Sequence, residues 1–460
     1  MIKEVTQQSQ LAPKGDDLNA WLSYIEALHP KSIEMGLERV KKVFSQLNID
    51  LTVPIITVAG TNGKGSTCAM LERIYTEAGY RVACYTSPHF IHFNERIRVN
   101  LKTIDNTLIA LAFKTVELAR QDTQLTYFEF STLAAFWIFS QQPIDVAVLE
   151  IGLGGRLDAV NILEPSCAIV TSIDLDHMDY LGATREKIGF EKAGIYRANK
   201  PAICGDANPP FTLHEYAIDI HADYLPINQA FQFQLYEESW DYSFDQIEYK
   251  KLPKPSLKGG FQIENAACVL TAISKMQTDL PVTENAIRAG LLNVFLLGRF
   301  QQIKQQPIVI VDVAHNPQAA LSLAHNLRST DFNGKTIAVL AMLADKDICG
   351  VIQAVGAQID VWHIASISTA RGANSNILEY AIQKNFPSKP IFSHLSIVAA
   401  YKAACLQASE NNIHIDEAEN NASVFLGEKA ACKFTDENVR IVVFGSFYTV
   451  AAILQLESST

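Results

Sequence analysis

The chain has 460 residues, 48% of them hydrophobic and 19% charged, with a formal net charge of −11. That length accommodates two or three domains with a large core, and the acidic balance argues against general nucleic-acid binding while leaving room for a local basic pocket for a small anion. With no basic arm and no long apolar run, neither a leader nor a membrane span is expected, and eight scattered cysteines read as small core residues of a reducing cytoplasm rather than a disulfide frame or zinc site.

Residues 1–17 are polar. From Leu18 to Leu47 the spacing predicts helix, with Trp21, Leu22, Ile25 and Leu28 on one face and a break at Gly36. The next segment runs from Ile55 to Thr67: an apolar strand Ile55-Ile56-Thr57-Val58-Ala59, the turn Gly60-Thr61-Asn62-Gly63-Lys64-Gly65, then a helix from Ser66 to Ala78 with Gly79 as its stop. Three glycines let backbone N–H groups crowd around an anion. Lys64 adds a point charge, and the helix aims its positive end at the same place. The unit is therefore a strand, a phosphate loop and a helix, although an ordinary glycine-rich turn would share its composition. Val58 stands where the general pattern has its first glycine, and Gly65 rather than Ser or Thr follows Lys64. The hydroxyl for magnesium is displaced to Ser66 or Thr67, or comes from elsewhere.

Arg81 to Tyr85 reads as a short strand ending in the turn Thr86-Ser87-Pro88-His89. Thr126 to Ser131 leads into an apolar helix reaching Phe139. Val146 to Leu149 has the continuous apolar run of a central parallel strand, and it ends at Glu150. A carboxylate at the C-terminal end of a strand beside a phosphate loop is where a magnesium-directed acid belongs. Gly152, Gly154 and Gly155 form a turn that lacks the spacing of a dinucleotide fingerprint. Cys167 to Thr171 is the next strand, delivering Asp174, Asp176, His177 and Asp179 to the same edge, and a helix from Thr184 to Ala193 carries Lys192. Alternation from Phe231 to Phe244 predicts a small antiparallel appendage. Helices follow, up to Met276 and from Thr283 to Leu291. A boundary falls near Leu296 to Phe300, giving domains 1–296 and 297–460. Beyond it the strands Ile308–Val311, Thr336–Leu340, Val361–Ile364 and Ile441–Phe444 repeat a doubly wound parallel pattern, and residues 407–438 read as a polar, acidic surface excursion. The fold class is α/β throughout: an N-terminal phosphate-loop ATPase domain with the antiparallel appendage, and a C-terminal Rossmann-like domain.

Seven motifs now stand in order: Gly60-Thr61-Asn62-Gly63-Lys64-Gly65-Ser66, Ser87-Pro88-His89, Glu150 to Asp158, Asp176-His177, Glu191-Lys192-Ala193-Gly194-Ile195, Gly298-Arg299-Phe300, and Asp312-Val313-Ala314-His315-Asn316-Pro317. Together they resemble the folylpolyglutamate synthase/dihydrofolate synthase branch of the Mur ligase superfamily, from about Trp21 to Val450. Leu297 departs from the proline that this family often has before Gly-Arg.

The resemblance implies an ATP-dependent ligase with magnesium. ATP would phosphorylate a carboxylate, and the amine of L-glutamate would displace phosphate to leave an amide. It implies that Thr61, Asn62, Gly63, Lys64, Gly65 and Ser66 hold ATP, with Asn265, Arg299, Asp312 and His315 also at the nucleotide or glutamate. Ser87 and Glu150 would ligate one magnesium ion, and Glu150 with His177 a second. Lys192 matches a position carbamylated in many members. The pterin pocket is carried onto Ile33, Glu34 and Met35, onto Thr126, Tyr127, Phe128 and Glu129, and onto Leu157, Asp158 and Ala159. The second domain, with His315 and Ser446, would receive glutamate and close over the first. Lys64, Glu150, His177 and Lys192 form the expected catalytic set. The implied partners are dihydropteroate, folates and L-glutamate, handled by a cytoplasmic monomer without nucleic acid or membrane. A synthase acting on folates alone, a phosphate-loop kinase and a nucleotide-gated binding protein are the alternative readings.

Overall fold

A computed structural model describes residues 12–31, 33–410 and 438–459. Most of the expected acidic excursion lies outside the described residues; its first positions belong to the helix Ile397–Glu410. The chain divides into two compact units, one of residues 1–256 and 262–295, the other of residues 257–261 and 296–460.

The first unit holds an eight-stranded sheet built from β1 (Ile55–Ala59), β2 (Val82–Tyr85), β3 (Ile97–Val99), β4 (Lys102–Thr103), β5 (Val146–Glu150), β6 (Cys167–Val170), β7 (Pro201–Cys204) and β8 (Asp223–Pro226). Their order is β4-β3-β2-β5-β1-β6-β7-β8. Every pairing is parallel except β2 with β3 and β3 with β4. Strands β1, β5 and β6 are buried along their whole length, which is why they read as unbroken apolar runs. Strand β1 is flanked by β5 and β6, in the register Val58 opposite Glu150 and Ala59 opposite Val170. Their C-terminal ends are therefore level, and the chain switches sides of the sheet around β1, the position at which open α/β sheets take their ligands.

Between the strands, helices Lys64–Glu77, Asn106–Arg120 and Tyr127–Ser140 cover the sheet. The first starts two residues before the expected Ser66, because Gly63 takes φ +90 and serves as its cap. It stops where expected: Gly79 takes φ +91, and Gly79 N and Tyr80 N close onto Thr76 O and Tyr75 O at 3.0 Å each. The break expected at Gly36 separates the helices Leu18–Ala27 and Glu38–Phe44.

The antiparallel appendage consists of β9 (Phe231–Leu235), β10 (Ser239–Phe244) and β11 (Ile247–Pro253). Trp240, Tyr242 and Phe244 alternate inward. Tyr242 Oη lies 2.8 Å from Thr271 Oγ1, tying the appendage to the helix Phe261–Lys275.

The second unit has a six-stranded sheet of β12 (Gln301–Gln305), β13 (Ile308–Val311), β14 (Gly334–Leu340), β15 (Val361–Ala365), β16 (Ile391–His394) and β17 (Asn438–Phe444), in the order β12-β13-β17-β14-β15-β16. Only β12 runs antiparallel to its neighbour. Trp362, Leu340, Val442 and Phe444 contribute to a core of their own with helices Pro317–Ser329 and Ile348–Val355.

Candidate active site

The phosphate loop leaves the end of β1 and is braced by the segment that leaves β6. Gly60 takes φ +146, and a Cβ there would stand 1.8 Å from Thr171 Oγ1. That hydroxyl donates to Asn62 O at 2.6 Å. Thr61 N donates to Ser172 O at 2.6 Å, Asn62 N to Ser172 Oγ at 3.2 Å, and Thr61 Oγ1 to Asp174 O at 3.1 Å. The amides of Thr61 and Asn62 are thus both engaged by Ser172. At the helix start the amides of Lys64, Gly65 and Ser66 precede the first intrahelical bond, Thr67 N to Gly63 O at 2.9 Å, and are placed to meet an anion. Lys64 Nζ bends back onto Gly60 O at 2.9 Å and Thr61 O at 3.3 Å, charge-assisted bonds that a phosphate would replace. Asn265 packs against the loop, its Oδ1 2.5 Å from where a Cβ on Gly63 would be.

One strand over, Glu150 ends β5, 5% exposed. Because β2 pairs with β5, the turn after β2 brings Ser87 alongside, and Ser87 N donates to Glu150 Oε2 at 3.0 Å. His177 caps the short helix Met178–Leu181 in a left-handed conformation, φ 50, with its Nε2 3.8 Å from Asp176 Oδ2. Among the described residues no three His, Cys, Asp or Glu side chains gather into a complete cage. A hydroxyl, a carboxylate and an imidazole fit a hard cation that takes its remaining ligands from phosphate and water.

Lys192 is 3% exposed on the helix Arg185–Ala193. Burial, and then the like charge of Lys64, pull its pKa down to about 7 against the opposing pull of Asp176 and Asp158. Asp158 moves the other way: burial lifts its carboxyl to about 7, although Leu153 N and Val160 N donate to it at 2.8 and 3.0 Å.

The glycine turn after Glu150 draws the expected pterin residues together. A Cβ on Gly152 would meet the Phe128 ring at 2.4 Å, and one on Gly154 would meet Leu181 at 2.8 Å and Met35 at 3.6 Å. Gly36 N donates to Leu157 O at 3.4 Å. Ala159 opens the short turn Ala159–Ile162 that Asp158 caps. Glu129, by contrast, is occupied: it completes a capping box with Thr126 and accepts from Arg39 at 2.9 Å. Glu34 also pairs with Arg39, at 3.0 Å. Tyr127 turns to Arg96, whose guanidinium lies 5.5 Å from its ring centroid. A cavity of about 520 Å³ is lined by Pro30, Lys31, Ile33, Glu34, Met35 and Tyr180. Arg39 and Tyr180 were not expected from the sequence. Tyr180 had a signal, its place one residue after Asp179, whereas Arg39 had none.

In the second unit Asp312 follows β13 directly. Its carboxylate accepts from Phe300 N and Ala314 N at 2.8 Å each, and burial raises its pKa against the attraction of Arg299. Arg299 lies over the Phe447 ring, 5.8 Å from the centroid. His315 Nδ1 is 2.8 Å from Val313 O. Asn316, not Asp312, caps the next helix, accepting from Ala319 N at 2.9 Å. Ser446 caps the helix Phe447–Ser458 through Thr449 N at 3.0 Å.

Two largely parallel sheets, a phosphate loop at the switch point of the first and a buried acid one strand away define an α/β nucleotide-binding protein of the phosphate-loop class. The Mur ligase middle domain matches residues 58–273, and the Mur ligase glutamate ligase domain matches residues 298–415. The dihydrofolate synthase/folylpolyglutamate synthase of Escherichia coli K12 is 39% identical over 442 residues, 95% of each chain. That of Bacillus subtilis 168 is 32% identical over 377 residues, 76% of this chain and 85% of its own. Among solved structures, E. coli FolC in complex with DHPP and ADP superposes with a TM-score of 0.85 at 38% identity, covering 96% of this chain and 98% of its own. A bifunctional folylpolyglutamate synthase/dihydrofolate synthase with Mn, AMPPNP and L-glutamate bound gives 0.83 at 37% identity, covering 97% and 99%. The chain belongs to the dihydrofolate synthase/folylpolyglutamate synthase family of Mur ligases.

Proposed function

We propose that this chain uses ATP to join L-glutamate to dihydropteroate, as a dihydrofolate synthase, and to tetrahydrofolate or its polyglutamates, as a folylpolyglutamate synthase. The observation that carries the reading is the meeting, at one sheet edge, of the phosphate loop and the Ser87–Glu150 pair, in a chain colinear with its E. coli relative over 95% of both.

Lys64 and the amides of the first helical turn hold the phosphates. The γ-phosphoryl group passes to the carboxylate of the pterin substrate, giving an acyl phosphate and ADP. The amine of glutamate then attacks the acyl carbon, the C–O bond to phosphate breaks, and an amide and inorganic phosphate remain. Ser87, Glu150 and His177 would hold magnesium, which neutralises charge on the phosphoryl oxygens. Asp158, with Phe128, Met35 and the cavity behind Ile33 and Glu34, takes the pterin. Asn265 contacts the nucleotide; for the second unit, residues 297–460 of the division argued from sequence, the family resemblance gives Arg299 and Asp312 to nucleotide and His315 to glutamate. Lys192, close to neutrality by its pKa of about 7, can take up carbon dioxide and become an anionic group directed at the metal.

The same reading makes the enzyme a cytoplasmic monomer acting on small molecules, with no role for nucleic acid. No helix among the described residues is long and apolar enough to cross a membrane. The test is ADP release with dihydropteroate or tetrahydrofolate, each with and without L-glutamate. Glutamate-dependent release is expected with both acceptors. Release with tetrahydrofolate alone narrows the activity to polyglutamylation, and glutamate-independent release points to a kinase.

A further inference from the structure

The helix Phe261–Lys275 touches the phosphate loop through a side chain to which the sequence assigns no role. Gln262 is 1% exposed; its Nε2 lies 3.2 Å from Ser66 Oγ, and its Oε1 accepts from Asn265 Nδ2 at 3.1 Å. With Asn265 Nδ2 facing its Oε1, the Gln262 carboxamide presents its NH2 group to Ser66 Oγ. Ser66 is consequently an acceptor toward Gln262. Its single proton and second lone pair remain for other partners.

Ser66 is the hydroxyl displaced by Gly65. In a general phosphate loop the hydroxyl directly follows the lysine and serves the magnesium. Left alone, a serine in a helix can turn its hydroxyl back to the carbonyl four residues earlier. Here that carbonyl, Asn62 O, already accepts from Thr171 Oγ1 at 2.6 Å and Ser172 Oγ at 3.2 Å, which works against that turn.

We propose that Gln262 is a positioning residue for nucleotide binding. By donating to Ser66 Oγ it keeps that proton available for a phosphate oxygen and the second lone pair available for the accompanying divalent cation. Through Asn265, which lies against Gly63, the same carboxamide connects Ser66 with the residue packed on the loop's last turn. The proposal rests on the nucleotide-binding reading of this loop.

The experiment is a double-mutant cycle on the full chain, titrating magnesium with AMPPNP by calorimetry, so that binding is read without turnover. Ser66→Ala and Gln262→Met are each expected to weaken binding about ten-fold, the upper end of one hydrogen bond's contribution. If Gln262 acts through Ser66, its penalty shrinks to about three-fold or less in the Ser66→Ala background. A merely structural glutamine would give the same penalty in both backgrounds, and that result overturns the proposal, as does wild-type affinity in Gln262→Met. Thermal melting checks the fold. Should Gln262→Met not fold, Gln262→Glu, which keeps the acceptor toward Asn265, takes its place in the cycle under the same criteria. A wild-type chain that fails to bind the magnesium nucleotide sinks the reading of the loop itself. Normal wild-type binding with equal penalties sinks only the part given to Gln262.

Discussion

Gly60→Ala tests whether the loop is braced by the strand behind it. At φ +146 an alanine is strained by about 1–3 kcal/mol. Its Cβ would also occupy a point 1.8 Å from Thr171 Oγ1 and 3.1 Å from both the backbone N and the Cβ of Thr171. The hydroxyl must leave, breaking its 2.6 Å bond to Asn62 O, a loss of about 1 kcal/mol. The expected destabilisation is therefore about 2–4 kcal/mol, measured by urea unfolding at constant m-value. Thr171→Ala alone should cost about 1 kcal/mol. The double variant should cost less than the sum by about 1 kcal/mol, because the same hydrogen bond is lost only once. Gly60→Ala at under about 0.5 kcal/mol, or strictly additive costs, would refute the bracing argument.

Lys64→Ala should abolish ATP turnover in a folded protein, a loss of roughly 3 kcal/mol or more in the transition state; near-normal turnover would remove the loop from the mechanism. Glu150→Gln keeps size and hydrogen bonding but removes a hard anionic ligand, so ligation should fall steeply and extra magnesium should restore little. An unchanged magnesium dependence would show that Glu150 is not a ligand. The folded pKa of Lys192, about 7, lies below the ordinary lysine value of 10.5, so the neutral amine accumulates as pH rises through 7. Incubation with ¹³C-bicarbonate should then give a protein carbamate resonance at pH 8 that is weaker at pH 6 and absent in Lys192→Met; no resonance at either pH would end the carbamylation reading.

Much of the first sheet was legible because β1, β5 and β6 are buried on both faces and must be apolar throughout. Glu150 stood out as a charge ending such a run. Several strands that escaped notice lack that mark, whereas β7, the short buried run Pro201–Cys204, carries it and was passed over. In β12 the sequence is Gln-Gln-Ile-Lys-Gln on a sheet edge, while β3 and β4 have three and two residues. Pairing, not composition, makes them strands. The supports of the site were hidden for another reason. Ser172 reaches Asn62 across 110 positions, and Gln262 reaches Ser66 across 196. Bonds that long leave no local pattern. Glu129 was placed at the substrate by the family resemblance; Thr126-x-x-Glu129 is also a capping box, and the local geometry uses it as one.

Strand β17 is the last strand of the chain, yet it lies in the middle of its sheet, between β13 and β14. During synthesis the strands on either side emerge first and have no common neighbour. Until residues 438–444 leave the ribosome, β12–β13 and β14–β16 are two fragments with open inner edges. The first unit has all its strands long before that. A nascent chain stalled before Asn438 would thus carry a finished first sheet with its phosphate loop and an unfinished, aggregation-prone second unit, so premature termination late in this gene should yield insoluble protein rather than a truncated enzyme.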